Sequence, residues 1–229
     1  EGGNDMNALR LLLFIFAAAT LLAQARLDSN QMRNDLFAGM AGNPDALKRL
    51  NDVSSKALAG NPDHAQALVW HGAAMLGEFF MEAQKGNAQA FMGHFQKGSA
   101  EMDRAVSLAP DDLEVRIMRA SLYAPASRQM PAPFAETMLE KATTDLQHTF
   151  DLQRSELKQL GTHPLGELLQ GLADAYSRQG KKDDAEKYYR MIQTMLKDTE
   201  YARRADAWMA TKQPLPAERT ACVGCHVSK

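Results

Sequence analysis

Residues 165–197 read LGELLQGLADAYSRQGKKDDAEKYYRMIQTMLK, and the architecture of the chain is clearest in this segment. Apolar and small residues recur at helical spacing on both sides of a charged run, at Leu169, Leu172, Ala173, Tyr176, Ala185 and Tyr189. The charged run itself, QGKKDDAEK, contains Gly180 and two aspartates, which suit a solvated turn and the first turn of a new helix. The segment therefore predicts two helices joined by a short polar turn.

Two earlier segments carry a related pattern. ALAGNPDHAQAL (57–68) and AVSLAPDDLEVR (105–116) each place a proline five residues after an alanine, followed by an acidic residue and a new apolar run. The same periodicity predicts further helices over 44–61, 64–84, 88–108, 113–123 and 199–210. In the first of these we expect one apolar face formed by Leu47, Leu50, Val53, Ala57 and Leu58, and in the last an inward face formed by Tyr201, Ala205 and Trp208. Strong helix formers dominate and strand-like alternation is lacking, so the predicted fold class is all-α.

On these residues the chain resembles the tetratricopeptide repeat (TPR), a helix–turn–helix unit of about 34 residues. The resemblance covers roughly residues 44–197 and implies an α-solenoid of about three and a half repeats. In that family small residues let paired helices approach closely, and the matching positions are Gly72, Ala120, Ala57, Ala105, Ala173 and Ala185. The family also implies a concave face that binds a peptide or protein.

The sequence departs from the repeat in two places. The helix pair at 64–108 is about a dozen residues too long for a standard unit. The pair that begins at Leu113 is interrupted by the proline-rich insertion APASRQMPAP at 124–133.

A second motif lies beyond the predicted helices, at Cys222-Val223-Gly224-Cys225-His226. C-x-x-C-H is the attachment signature of c-type haem. Its two thiols would form thioethers with the haem vinyl groups, and His226 would be the proximal iron ligand. A redox dithiol usually accompanies a β-α-β pattern, and a zinc site needs about four ligands. These two cysteines are the only ones in the chain, so we expect one covalently attached haem c.

The start of the chain is consistent with export. Leu11–Leu22 form an apolar run of twelve residues after Arg10, and Ala23-Gln24-Ala25 is an A-x-A cleavage site. The run is shorter than the roughly 20 residues of a membrane-spanning helix. We therefore expect a signal peptide over 1–25, a TPR-like domain over 26–210, and a linker with the haem segment over 211–229. An uncleaved N-terminal anchor is the alternative.

Charge limits the choice of partners. Without residues 1–25 the chain holds 25 basic and 26 acidic side chains. Such a balance offers no basic field for nucleic acid and no polybasic stretch for anionic lipid. The expected partners are therefore proteins, and no membrane span is expected after cleavage.

The second axial ligand of the haem is open in the sequence. Met130-Pro131 lies in the insertion and looks like the axial-methionine loop of small c-type cytochromes, although there the methionine follows the haem motif. The other candidates are five histidines: His64, His71, His94, His148 and His163. A haem face without a protein ligand, as in cytochromes c′, is a further alternative.

Resemblance to c-type cytochromes implies attachment of the haem outside the cytoplasmic membrane. The sequence thus predicts a periplasmic monohaem cytochrome on a TPR-like scaffold, which transfers single electrons and docks a redox partner or respiratory complex. Two alternatives stay open: a TPR interaction or assembly protein with a structural or sensory haem, and a gas-binding protein or haem enzyme with an open site. No motif of a hydrolase or phosphotransferase is present, so an electron carrier is expected rather than an enzyme.

Overall fold

The computed structural model describes residues 26–216. Within this range the chain forms nine α-helices and one short 3-10 turn, at Leu157–Gln159, and no strand. The helices are α1 Ser29–Met40, α2 Pro44–Gly60, α3 Ala65–Gln84, α4 Ala88–Leu108, α5 Leu113–Ala126, α6 Phe134–Gln153, α7 Thr162–Arg178, α8 Lys182–Met195 and α9 Glu200–Thr211. Each helix packs mainly against its sequence neighbours, which confirms the all-α, TPR-like architecture.

Polar side chains fix where several helices begin. Asn43 accepts a hydrogen bond from the Ala46 amide at the start of α2, where Pro44 occupies the first helical position. Asp112 accepts from the amides of Glu114 and Val115 at the start of α5. Between α7 and α8, Gly180 adopts φ +74°, a conformation that side-chain-bearing residues rarely take. The predicted turn at QGKKDDAEK is therefore confirmed.

The predicted helices are present, with four differences. The sequence pattern predicts no helix at α1 and no bounds for α6. The helix expected to end at Tyr123 continues through Pro125 to Ala126, because the Ser127 amide still reaches the Tyr123 carbonyl oxygen. In α2 the expected apolar face is wrong at Val53, which is 47% exposed.

Small residues bring the paired helices together as expected. A side chain on Gly72 would place its Cβ 2.6 Å from the Gly98 carbonyl oxygen, so α3 and α4 touch backbone to backbone. The other predicted small positions are buried at Ala105, Ala120, Ala173 and Ala185. Ala57 is only half-buried, and the fully buried small residues of α2 are Ala46 and Ser54.

Two apolar clusters fill the interior. The N-terminal core lies among α1–α6 and contains Leu36, Leu47, Trp70, Leu76, Met102 and Tyr123. The C-terminal core lies among α6–α9 and contains Leu169, Leu172, Tyr189, Ile192, Trp208 and Leu215. Leu146 of α6 packs against both, so this helix joins them. No helix of residues 26–216 is long and apolar enough to span a membrane.

Candidate functional site

The haem-attachment residues Cys222, Cys225 and His226 lie outside the residues that the structure describes, as does the predicted signal peptide over 1–25. The described chain ends at Pro216, only six residues before Cys222. The described residues nearest to the motif in the sequence are those of the linker that follows α9.

The linker is anchored to the C-terminal core. Leu215 is 5% exposed and belongs to that core, although it follows the end of α9. Before it, the Lys212 ammonium lies 2.7 Å from Glu186 Oε2 of α8 and 4.6 Å from the centroid of the Trp208 ring. Hydrogen bonds from Lys212 and Arg190 hold the pKa of the Glu186 carboxyl below its usual range. The linker thus leaves from a fixed point beside α8 and α9.

At their N-terminal ends, α7 and α9 meet through Tyr201. The phenol donates a hydrogen bond of 2.6 Å to Glu167 Oε1, and its oxygen lies 3.1 Å from Nδ1 of His163. Gly166 makes this contact possible, because a Cβ there would come within 2.3 Å of the Tyr201 ring. Glu167 Oε1 lies 3.9 Å from the same imidazole nitrogen, so the imidazole, the phenol and the carboxylate form one polar cluster at this corner.

The side chain of His163 is 54% exposed. Leu165 is buried in the C-terminal core, and Leu160 packs against that core from the preceding turn. His163 thus belongs to a polar cluster with Glu167 and Tyr201 beside the C-terminal core.

The remaining histidines differ in burial and in partner. His64 and His71 are each 8% exposed; His64 Nδ1 accepts from the Ala67 amide at the start of α3, and His71 Nδ1 contacts Glu101. His94 Nδ1 lies 2.8 Å from Glu78, on helices of the N-terminal core. His148 contacts Asp111 through Nε2, at 2.7 Å. The structure brings none of these four into the corner formed by α7 and α9.

Met130 lies in the turn after α5, where its amide donates to the Ala126 carbonyl oxygen. Its side chain is half-buried and packs against the N-terminal core. The linker residue Leu215 is in the other core, so the structure does not bring Met130 and the linker together in one apolar cluster.

A buried ion-pair group connects the same turn to α7. Arg128 donates two hydrogen bonds to the Asp174 carboxylate, at 2.7 and 2.8 Å, and Arg178 donates to Ser127 and to the Ala124 carbonyl oxygen. Burial raises the pKa of Asp174 despite the two nearby guanidinium groups. This group fixes the insertion against the C-terminal half, and no sequence pattern pairs Arg128 with Asp174, 46 residues further along.

A surface groove of about 410 Å³ is a second candidate for binding, since sites for partners are concave. It lies between α2, α3 and the start of α4. Leu47, Met81 and Phe91 supply apolar lining, and Asp52, Glu78 and Glu82 supply carboxylates. Two of these carboxylates already pair with Lys48 and Lys85, so its charge is largely compensated.

Comparison with protein families matches residues 166–190 to the tetratricopeptide repeat. These residues cover most of α7 and the first part of α8, including the Gly180 turn. No curated protein and no solved structure matches the chain. Residues 26–216 form an all-helical array, and the segment 166–190 within it matches the tetratricopeptide repeat.

Proposed function

We propose that this chain is an exported monohaem c-type cytochrome, with the haem attached at Cys222 and Cys225 beside the C-terminal end of a TPR-like scaffold. The observation that carries the proposal is the C-x-x-C-H motif. A linker that is anchored in the C-terminal core by Leu215 precedes this motif. His226 supplies the proximal ligand. Localisation in the periplasm follows from the signal sequence and from where such haems are attached.

A bound haem would supply a one-electron centre, with iron changing between ferric and ferrous as an electron arrives from a reduced metalloprotein and leaves to an oxidised one. The chain's own residues position that centre. Leu215 and the Lys212–Glu186 pair limit how far the attachment segment can move from α8 and α9. The C-terminal core offers the apolar surface that a short segment cannot supply by itself.

The scaffold supports docking of a partner protein. A tetratricopeptide repeat indicates a role in protein–protein interaction, and its match falls on the helices nearest the linker. A redox partner bound to this part of the array would be close to the haem, which one-electron transfer requires.

The test is to express the full chain with a c-type haem-attachment system, denature it, and measure haem that stays on the polypeptide. We expect one haem per chain, and loss of covalent haem when Cys222 and Cys225 are both changed to alanine. A wild-type chain without covalent haem, obtained with a known cytochrome attached in the same cells, would contradict the proposal.

The repeat match favours a second candidate function, a TPR interaction or assembly protein in which the haem is structural or sensory. Slow or absent electron exchange with soluble one-electron donors, in a chain that carries haem and captures a partner, would select this alternative.

A further inference from the structure

We infer that α7 carries a binding site for an arginine side chain of a partner protein, and that Arg128 of the insertion occupies this site in the free chain. The site is formed by Gln170, Asp174 and Arg178, which recur every four residues and therefore lie in line on one face of the helix. This inference rests on the proposed docking of a partner protein, whose chemistry it names, and it does not involve the haem.

The first argument is the arginine that already fills the site. One guanidinium nitrogen of Arg128 lies 2.7 and 2.8 Å from the two oxygens of the Asp174 carboxylate. The Asp174 side chain is only 10% exposed, and that of Arg128 is the more exposed of the two, at 19%. Hydrogen bonds from a guanidinium to a carboxylate are among the strongest that side chains form. The position above Asp174 is therefore suited to a guanidinium.

The second argument is that Arg128 can leave without release of the turn that carries it. Among the residues that the structure describes, its side chain donates hydrogen bonds only to Asp174. The turn itself is fixed by Arg178, whose guanidinium donates to the Ala124 carbonyl oxygen at 2.9 Å and to Ser127 Oγ at 2.6 Å. Rotation of the Arg128 side chain alone would therefore open the carboxylate to the arginine of a partner.

The third argument is a buried amide in the same place. Gln170 is 5% exposed, and neither its amide nitrogen nor its amide oxygen has a hydrogen-bond partner of ordinary geometry. The Tyr189 hydroxyl lies beside it, but an amide offers two donor hydrogens and an acceptor, which is more than one hydroxyl can satisfy. Burial raises the pKa of Tyr189 and the Asp174 carboxylate adds to this effect, so the amide, the phenol and the carboxylate share one location. Main-chain groups beside the partner's arginine would pair with the Gln170 amide.

The experiment uses the full chain and measures the binding of N-acetylarginine amide, an arginine with both backbone ends capped, by isothermal titration calorimetry. The matched control ligand is N-acetylcitrulline amide, in which a neutral ureido group replaces the guanidinium. We expect Arg128→Ala to bind one capped arginine at least about tenfold more tightly than the wild-type chain, because Arg128 no longer competes for the site. It should prefer capped arginine to capped citrulline by at least about tenfold.

Arg154→Ala is the matched control variant, because it removes an arginine whose side chain is 65% exposed. It should bind capped arginine no better than the wild-type chain does. Equal binding by Arg128→Ala and the wild-type chain, or equal binding of the two ligands by Arg128→Ala, would overturn the inference.

Further variants keep the test decisive if Arg128→Ala folds poorly, which circular dichroism will show. Arg128→Met keeps the apolar stem of the side chain and should give the same gain in binding. Asp174→Asn added to either variant should abolish that gain, and binding that persists would overturn the site.

Gln170→Met separates a binding role of the amide from a structural one. It should raise the unfolding temperature, because it removes buried polar atoms that lack partners, and in the Arg128→Ala background it should weaken the binding of capped arginine several-fold. Unchanged binding would overturn the site as proposed. Absence of covalent haem from the wild-type chain would instead refute the proposed cytochrome, so the two failures are distinguishable.

Discussion

Beside the N-terminal core, a fully buried carboxylate of α6 pairs with two arginines of α5, whereas in the C-terminal core α8 and α9 meet through stacked aromatic rings. Asp145 is fully buried and accepts hydrogen bonds from Arg116 and Arg119 of α5. In the other core, the rings of Tyr189 and Trp208 stack with centroids 4.6 Å apart. The family match falls on helices of the C-terminal core, and it includes the buried Asp174, which pairs with Arg128 outside the match. The two regions thus differ in whether a buried ion pair or a ring stack joins neighbouring helices, and Asp174 shows that ion pairs also stabilise the C-terminal half.

The largest loss of stability is expected at the buried ion pair of the N-terminal half. Asp145→Ala removes the carboxylate that pairs with the guanidinium groups of Arg116 and Arg119, and each of these arginines is less than a tenth exposed. Breaking a buried pair in this way costs about 3–5 kcal/mol. Urea unfolding measures it, and Asp151→Ala on the exposed face of the same helix should change stability by less than about 0.5 kcal/mol. Equal effects for the two variants would contradict the distinction.

The next effect tests close helix packing in the same half. Gly72→Ala should destabilise by about 1–3 kcal/mol, because its Cβ would meet the Gly98 carbonyl oxygen of the backbone as well as the Met102 side chain. Gly93→Ala lies in the partner helix α4 with nothing within 4 Å of the added carbon, and it should stabilise by up to about 1 kcal/mol. Thermal unfolding of the two variants should therefore shift in opposite directions. A higher unfolding temperature in both variants would show that the helix propensity of alanine outweighs the steric contact at position 72.

A smaller effect is expected in the C-terminal core. Trp208→Phe keeps the ring stacking but removes the indole N–H that donates to Ser177 Oγ at 2.7 Å. The loss should be about 0.5–1.5 kcal/mol. In the double variant with Ser177→Ala, the cost should be less than the sum of the single costs, since no partner is left unsatisfied. Strict additivity in urea titrations would argue against the hydrogen bond.

The smallest effect concerns pH. The raised pKa of Asp174 means that the folded protein binds this proton more tightly than the unfolded chain. Stability of the wild-type relative to Asp174→Asn should therefore increase as pH falls through the raised pKa, and level off below the ordinary pKa of an aspartate. A decrease over that window would show that Arg128 and Arg178 outweigh burial.

The helices that the sequence predicted and those it missed differ in their buried faces. α7 and α8 bury leucines, alanines and tyrosines at helical spacing, and the pattern predicted both helices and the turn between them. α6 buries Thr143, Asp145 and Thr149, and α1 buries Asp35 and Gly39, so polar and small residues hide the periodicity. Asp145 is tolerated there only because α5 provides guanidinium groups from 26 and 29 positions away.

The candidate site was also predicted only where its pattern is local in the sequence. The haem motif is local and can be recognised in the sequence, and it stays a prediction because it lies outside residues 26–216. His163 was one of five candidate histidines in the sequence. Its contact with Tyr201, 38 residues further along, depends on the absence of a side chain at Gly166.

Glu114 implies an order of folding. Its carboxylate accepts hydrogen bonds from Ser29, Gln66 and Trp70, which precede it by 85, 48 and 44 residues. These contacts must wait until α5 is in place, and closing loops of that length slows the search. Contacts within the α7–α8 unit span only a few tens of residues. We therefore expect the last repeat, although synthesised late, to acquire its structure before the first helices are locked, and pulse-labelled hydrogen exchange during refolding would reveal that sequence of events.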